Sequence, residues 1–69
     1  MGDSVYKVIE LIGTSERSWE EAARNAVEVA AKSLKYLRVA EVKELDMTVE
    51  DGKVTTYRAK VHLSFKYET

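Results

Sequence analysis

Sixty-nine residues with no Cys, one His and a net charge of −1 from 11 basic and 12 acidic side chains narrow the reading before any pattern is sought. A chain this short makes one domain, spanning 1–69, near the lower size at which a single core holds a fold together. Disulfides and thiolate metal sites are excluded, as is a histidine cage within one chain, and the balanced charge gives no electrostatic case for nucleic acid or an anionic membrane as partner. Oligomerisation is then the expected means of stabilisation, with an oxygen-ligated metal behind it. No signal-like segment opens the sequence and no apolar run is long enough to span a bilayer, so a soluble, cytoplasmic protein is expected.

Met1–Asp3 reads as a short frayed start. Ser4 to Ile12 (SVYKVIELI) predicts a strand whose two faces, Val5/Lys7/Ile9/Leu11 and Tyr6/Val8/Glu10/Ile12, are both mostly apolar. One helix covers only one of them, so the other should be covered by a second copy of the chain. Gly13 to Arg17 reads as a turn, with Gly13 a turn glycine. Ser18-x-x-Glu21 matches a capping box at a helix start. Glu20 and Glu21 suit the positive end of the helix dipole, and Lys32 and Lys35 the negative end. The apolar stripe Trp19, Ala23, Ala26, Val27, Ala30, Leu34, Leu37 has helical spacing. Its alanines predict close approach of helix to sheet, and Trp19 reads as a packing anchor.

Arg38 to Glu50 predicts a second strand, Asp51-Gly52 a two-residue hairpin turn with positive φ at both positions, and Val54 to Tyr67 a third strand. In that third strand Tyr57, Ala59, Val61, Leu63, Phe65 and Tyr67 make an apolar face, and Arg58, Lys60, His62, Ser64 and Lys66 a polar one. The turn fixes the register: Glu50 with Lys53, Val42 with Val61, Ala40 with Leu63, Glu41 with His62. Nearer the turn the apolar pattern flips. Either a bulge near Lys43-Glu44 resets it, or the far half of the hairpin buries its other face against a neighbour. The expected fold is α+β, in the order β-α-β-β, with the third strand central in a three-stranded antiparallel sheet wrapped around one helix.

The chemistry-bearing residues are few. His62, across from Glu41, reads as a member of an ion pair rather than as a catalytic base. The row Arg58, Lys60, His62, with Glu41 beside it, is a candidate anion or interface site. Glu10, Glu44 and Asp46 interrupt strands expected to be largely covered. They are the candidate oxygen ligands for an ion, with Ca²⁺ suited to loosely arranged carboxylates, and Lys7, Lys43, Arg58 and Lys60 are the alternative counter-charges. No EF-hand spacing is present, so such an ion site would have to be assembled by folding or by symmetry.

The stretch VYKVIELIGTS at Val5–Ser15, with EVKE at Glu41–Glu44 and the closing strand, resembles the dodecin family over nearly the whole chain. The resemblance implies small β-α-β-β subunits assembled into a hollow homododecamer. Many such shells store or buffer flavin stacked near subunit interfaces and are not enzymes. The flavin-binding members carry a Trp at the position of Val39 and a Gln at that of Arg58. Val cannot stack on an isoalloxazine ring and Arg offers no acceptor for the flavin N–H. The segments TSERSWE, LRVA and DMTV resemble instead the calcium-dodecin subgroup, which lacks the flavin residues. A non-enzymatic shell that binds, stores or buffers a small ligand or ion is therefore expected, with Ca²⁺ the candidate ion. Flavin storage, as FMN or riboflavin in an atypical pocket, is the alternative.

Overall fold

The computed structural model describes residues 4–67, and the start expected at residues 1–3 lies outside the described residues. The elements are β1 (Tyr6–Ser15), α1 (Trp19–Ala31), β2 (Leu37–Glu50) and β3 (Lys53–Lys66). The sheet order is β1-β3-β2 with both pairs antiparallel, so the last strand is central, as expected. Its alternation does the sorting: Ala59, Val61 and Leu63 are buried under the helix, while Arg58, Lys60 and His62 point to the opposite, outer face.

Helix and sheet meet through small side chains. Ala22, Ala26 and Ala30 are buried at successive turns of α1, with Ile9, Leu11, Ala23, Val27, Leu34 and Leu37 packed around them. The buried line thus includes Ala22, which the predicted stripe omits. The helix also ends at Ala31, not near Leu37. Leu34 lies in the link and Leu37 opens β2, so the apolar spacing continues past the helix because core contact does. The lysines expected in the last turn are not there: Lys32 is the C-cap residue and Lys35 lies in the link. Tyr36, at φ 65°, reverses the chain into β2.

Gly13 corrects another expectation. β1 runs through it to Ser15, and Gly13 pairs with Ala59 beneath the helix. A Cβ at Gly13 would stand 1.9 Å from the carbonyl oxygen of Ala22 and 3.0 Å from the Ala26 Cβ. Glycine is needed there for close approach of backbones, not for a turn. The capping box is half realised. Ser18 Oγ accepts from Glu21 N at 3.0 Å, but the Glu21 carboxylate turns away to accept from Ser15 Oγ at 2.5 Å and from Arg17 Nε and Nη2 at 3.1 and 2.9 Å.

The hairpin has the expected pairs Glu50 with Lys53, Val42 with Val61, Ala40 with Leu63 and Glu41 with His62; between them the register is displaced by one, by a shift at Thr48/Val49 that is undone by a bulge between Val42 and Glu44. Asp51 and Gly52 have φ of 52° and 75°, matching the turn expected. The bulge returns Leu45 and Met47 to the face of Ala59 and Tyr57. Only the start of the helix lies near them, and Leu45 remains 50% and Met47 43% exposed. β1 stops opposite Tyr57, so residues 48–56 project as a two-stranded arm.

Candidate ligand and ion site

The same bulge that resets the apolar face assembles the outer face. It places Glu44 opposite Lys60 and Asp46 opposite Arg58 on β2, while β1 places Glu10 opposite His62. Because β3 is central, Arg58, Lys60 and His62 each have a neighbour on both sides. Arg58 grips Asp46 in a two-pronged pair, Nε–Oδ1 2.7 Å and Nη2–Oδ2 3.1 Å. Lys60 Nζ lies 3.1 Å from Glu44 and 3.8 Å from Glu10. His62 Nε2 is 3.0 Å from Glu10 Oε1.

His62 thus differs from expectation in its partner. The register with Glu41 holds, but the ring turns to Glu10 on the other flank, and Glu41 stands 3.5 Å from Lys43 Nζ. The signal available in the sequence was the central position of β3, which gives His62 two carboxylate neighbours. Two further contacts were not legible. Trp19 Nε1 donates to the backbone oxygen of Asp46 at 2.9 Å, and its ring meets Tyr57 edge-on at 5.1 Å. Trp19 is therefore the packing anchor expected, and it also holds the strand that carries Asp46.

These contacts set the charges. The Glu10 carboxyl is held below its ordinary range by the hydrogen bond with His62 and by the Lys60 charge, and that of Asp46 by the guanidinium of Arg58. Glu21 is lowered by the Ser15 hydroxyl and by Arg17. Lys60 is raised by Glu44. A carboxyl lowered in the folded state stabilises the fold fully above its unfolded pKa, about 4. That contribution is lost as pH falls through the lower folded value. The melting temperature should therefore be level from pH 7 to pH 5 and fall below about pH 4. A Glu21→Gln variant should start lower at neutral pH and show a shallower acid decline. A melting temperature level down to pH 2 would contradict this assignment.

Fit to a ligand can be judged from the same geometry. Glu10, Glu44 and Asp46 have the oxygen donors that suit Ca²⁺, yet each already faces a base. Among the described residues no group of three or more His, Cys, Asp or Glu converges to hold a metal. The two flavin-position residues do not meet within one chain either. Val39 pairs with Ser64 and Asp46 brings β2 to Arg58. Val39 and Arg58 share the outer face at opposite ends, separated by roughly 20 Å at about 3.3 Å per residue. Val39, 58% exposed, has no ring to stack, and the Nε–Nη2 edge of Arg58 is occupied. The residues present do not fit a flavin pocket within one chain.

Comparison with known proteins agrees with the architecture. Calcium dodecin from Mycobacterium tuberculosis is 54% identical over 63 residues, covering 91% of this chain and 89% of that protein. Dodecin from Thermus thermophilus is 39% identical over 64 residues, covering 93% of each. Among solved structures, dodecin from Streptomyces coelicolor superposes with a TM-score of 0.93 at 35% identity, over 100% of this chain and 99% of that one. The M. tuberculosis calcium dodecin structure, that of a calcium-chelating antigen with a novel calcium-binding site, superposes at 0.83 with 55% identity, over 94% and 93%. With the strand order, the helix on one face and a dodecin family model matching residues 5–68, the chain belongs to the dodecin family.

Proposed function

We propose that the chain forms a hollow homododecamer that binds, stores or buffers a small ion and catalyses no reaction, with Ca²⁺ as the ion. The observation that carries the assembly is the apolar surface left uncovered on both sides of the sheet. Val8 and Ile12 face outward from β1, and Val42, Leu45 and Met47 lie beyond the helix on β2. A two-stranded arm is marginal alone, and exposed apolar area of this kind is what a second copy removes from water. The ion reading is supported by the 54% identity to calcium dodecin and by the carboxylates Glu10, Glu44 and Asp46. Since no single chain gathers them, the ion sites would form where copies bring equivalent carboxylates together.

The test combines size and stability. Light scattering should give near twelve times the 7.8 kDa mass of one chain. Chelator should lower the melting temperature of the assembly and added Ca²⁺ restore it, because a ligand of the native state stabilises by mass action. Titration into riboflavin or FMN should quench little or no fluorescence, given Val39 and the engaged Arg58. A monomer at micromolar concentration defeats the assembly, an unchanged melting temperature defeats the ion, and tight flavin quenching supports flavin storage instead.

A further inference from the structure

We propose that Asp46 excludes phosphate-bearing ligands from the outer face of the sheet: by occupying the Nε–Nη2 edge of Arg58 it closes an anion site. The inference rests on the reading of the protein as a ligand-binding shell and names the residue that keeps phosphate-bearing molecules off that face.

The argument begins with what Arg58 could do alone. A guanidinium on an open strand face, with its side chain 38% exposed, presents a planar fork suited to two phosphate oxygens. Here one edge of the fork, Nε with Nη2, is filled. Both Oδ atoms of Asp46 are engaged, at 2.7 and 3.1 Å, the parallel geometry that makes such pairs stronger than a point contact. Asp46 is also held from the other side. Its backbone oxygen accepts the Trp19 indole N–H at 2.9 Å, and Trp19 rests edge-on against Tyr57, the residue preceding Arg58. The carboxylate therefore stands on a braced strand rather than a mobile loop. A phosphate arriving from solution must displace a partner that is always present and loses no translational freedom on binding.

The neighbouring base cannot compensate. Lys60 is shared between Glu44 and Glu10, so the row that reads as basic in the sequence is matched along its length by carboxylates. An anion therefore meets competition from a resident carboxylate at Arg58 and at Lys60 alike. Asp46 is thus a positioning and selectivity residue. It touches Arg58, and through Arg58 it decides what that site can hold.

The experiment compares the intact wild-type protein with Asp46→Asn, which keeps the side-chain shape and the carbonyl that Trp19 holds, and with Asp46→Asn/Arg58→Gln. Asp46→Ala repeats the comparison without the amide. Inorganic phosphate is titrated at constant ionic strength by calorimetry, and FMN is compared with riboflavin, which lacks the phosphate. Trp19 emission and far-ultraviolet dichroism establish that each variant is folded. Asp46→Asn should bind phosphate about fivefold more tightly than wild type, because the competing carboxylate is removed. It should also bind FMN over riboflavin by a similar factor, and both gains should vanish in the double variant. Equal phosphate affinity in wild type and both Asp46 variants, or a gain that survives Arg58→Gln, overturns the proposal. No calcium enters the comparison, so its outcome is separate from that of the chelator series.

Discussion

Gly13→Ala should unfold the chain or leave it unable to assemble, although the substitution adds a single methyl group to a strand. The added Cβ would lie 1.9 Å from the Ala22 carbonyl oxygen, and that oxygen belongs to the backbone of α1. No rotamer change relieves the contact; the helix itself must lift from the sheet. Lifting it separates Ala22 and Ala26 from β1, and these alanines have no longer side chain with which to refill the gap. Overpacking of a core by a methyl group typically costs about 1–3 kcal/mol, and a backbone clash places this site at or above the upper end. A chain of 69 residues has little stability in reserve. Gly52→Ala supplies the contrast. Nothing lies within 4 Å of its Cβ, and the cost comes only from φ +75°, about 1 kcal/mol. Thermal unfolding of both variants reads the difference. A Gly13→Ala protein melting within a few degrees of Gly52→Ala would show that the helix–sheet approach is looser than described.

Gly13 also shows what a sequence hides. A glycine before Thr-Ser and a capping serine has the look of a turn, because nothing local distinguishes a glycine that bends the chain from one that admits a neighbour. The neighbour, Ala22, comes from a different element, and its proximity depends on how the helix crosses the sheet. The hairpin was legible for the opposite reason. Counting back from Asp51-Gly52 gives the pairing of Glu41 with His62, and it holds because the shift at Thr48/Val49 is offset by the bulge at Val42/Glu44; only the second of these was legible, from the flip of the apolar pattern. Counting stops at side-chain direction. His62 has Glu10 on one flank and Glu41 on the other, and its choice of Glu10 is a matter of reach that periodicity does not encode. The helix end was missed because Leu34 and Leu37 keep a helical spacing of apolar residues while lying in the link and in the next strand. Contact with one core produced the spacing without the helix.

The outer face shows the same division between pattern and placement. Arg58, Lys60 and His62 read as a basic row when β3 is taken alone. Beside β1 and β2 they form a neutralised lattice, because Glu10, Glu44 and Asp46 arrive from the two flanks. The acids and bases identified as separate candidate sites are one site. This is why a change at Asp46 should be felt as a change at Arg58.

Leu45→Lys should break the proposed assembly while leaving each chain's strand pairing largely in place. Leu45 sits opposite Ala59 on the apolar side of the sheet, past the helix, and is half exposed in the single chain. Its neighbours Val42 and Met47 are similarly uncovered, so the three form one strip along β2. Covering a leucine that is half exposed contributes about 1 kcal/mol per copy, and a closed assembly repeats that gain at every equivalent contact. A lysine there removes the gain and adds the cost of burying an unpaired ammonium, several kcal/mol per site. Within one chain the same lysine can extend into water, so the intrachain fold loses little. Leu45→Ala should be intermediate, weakening assembly without a buried charge. Mass photometry across a dilution series orders the three proteins: wild type intact, Leu45→Ala dissociating on dilution, Leu45→Lys small throughout. If Leu45→Lys keeps the mass and melting temperature of wild type, the strip along β2 faces water in the assembly, and the contacts that close the shell lie instead on the β1 side with Val8 and Ile12.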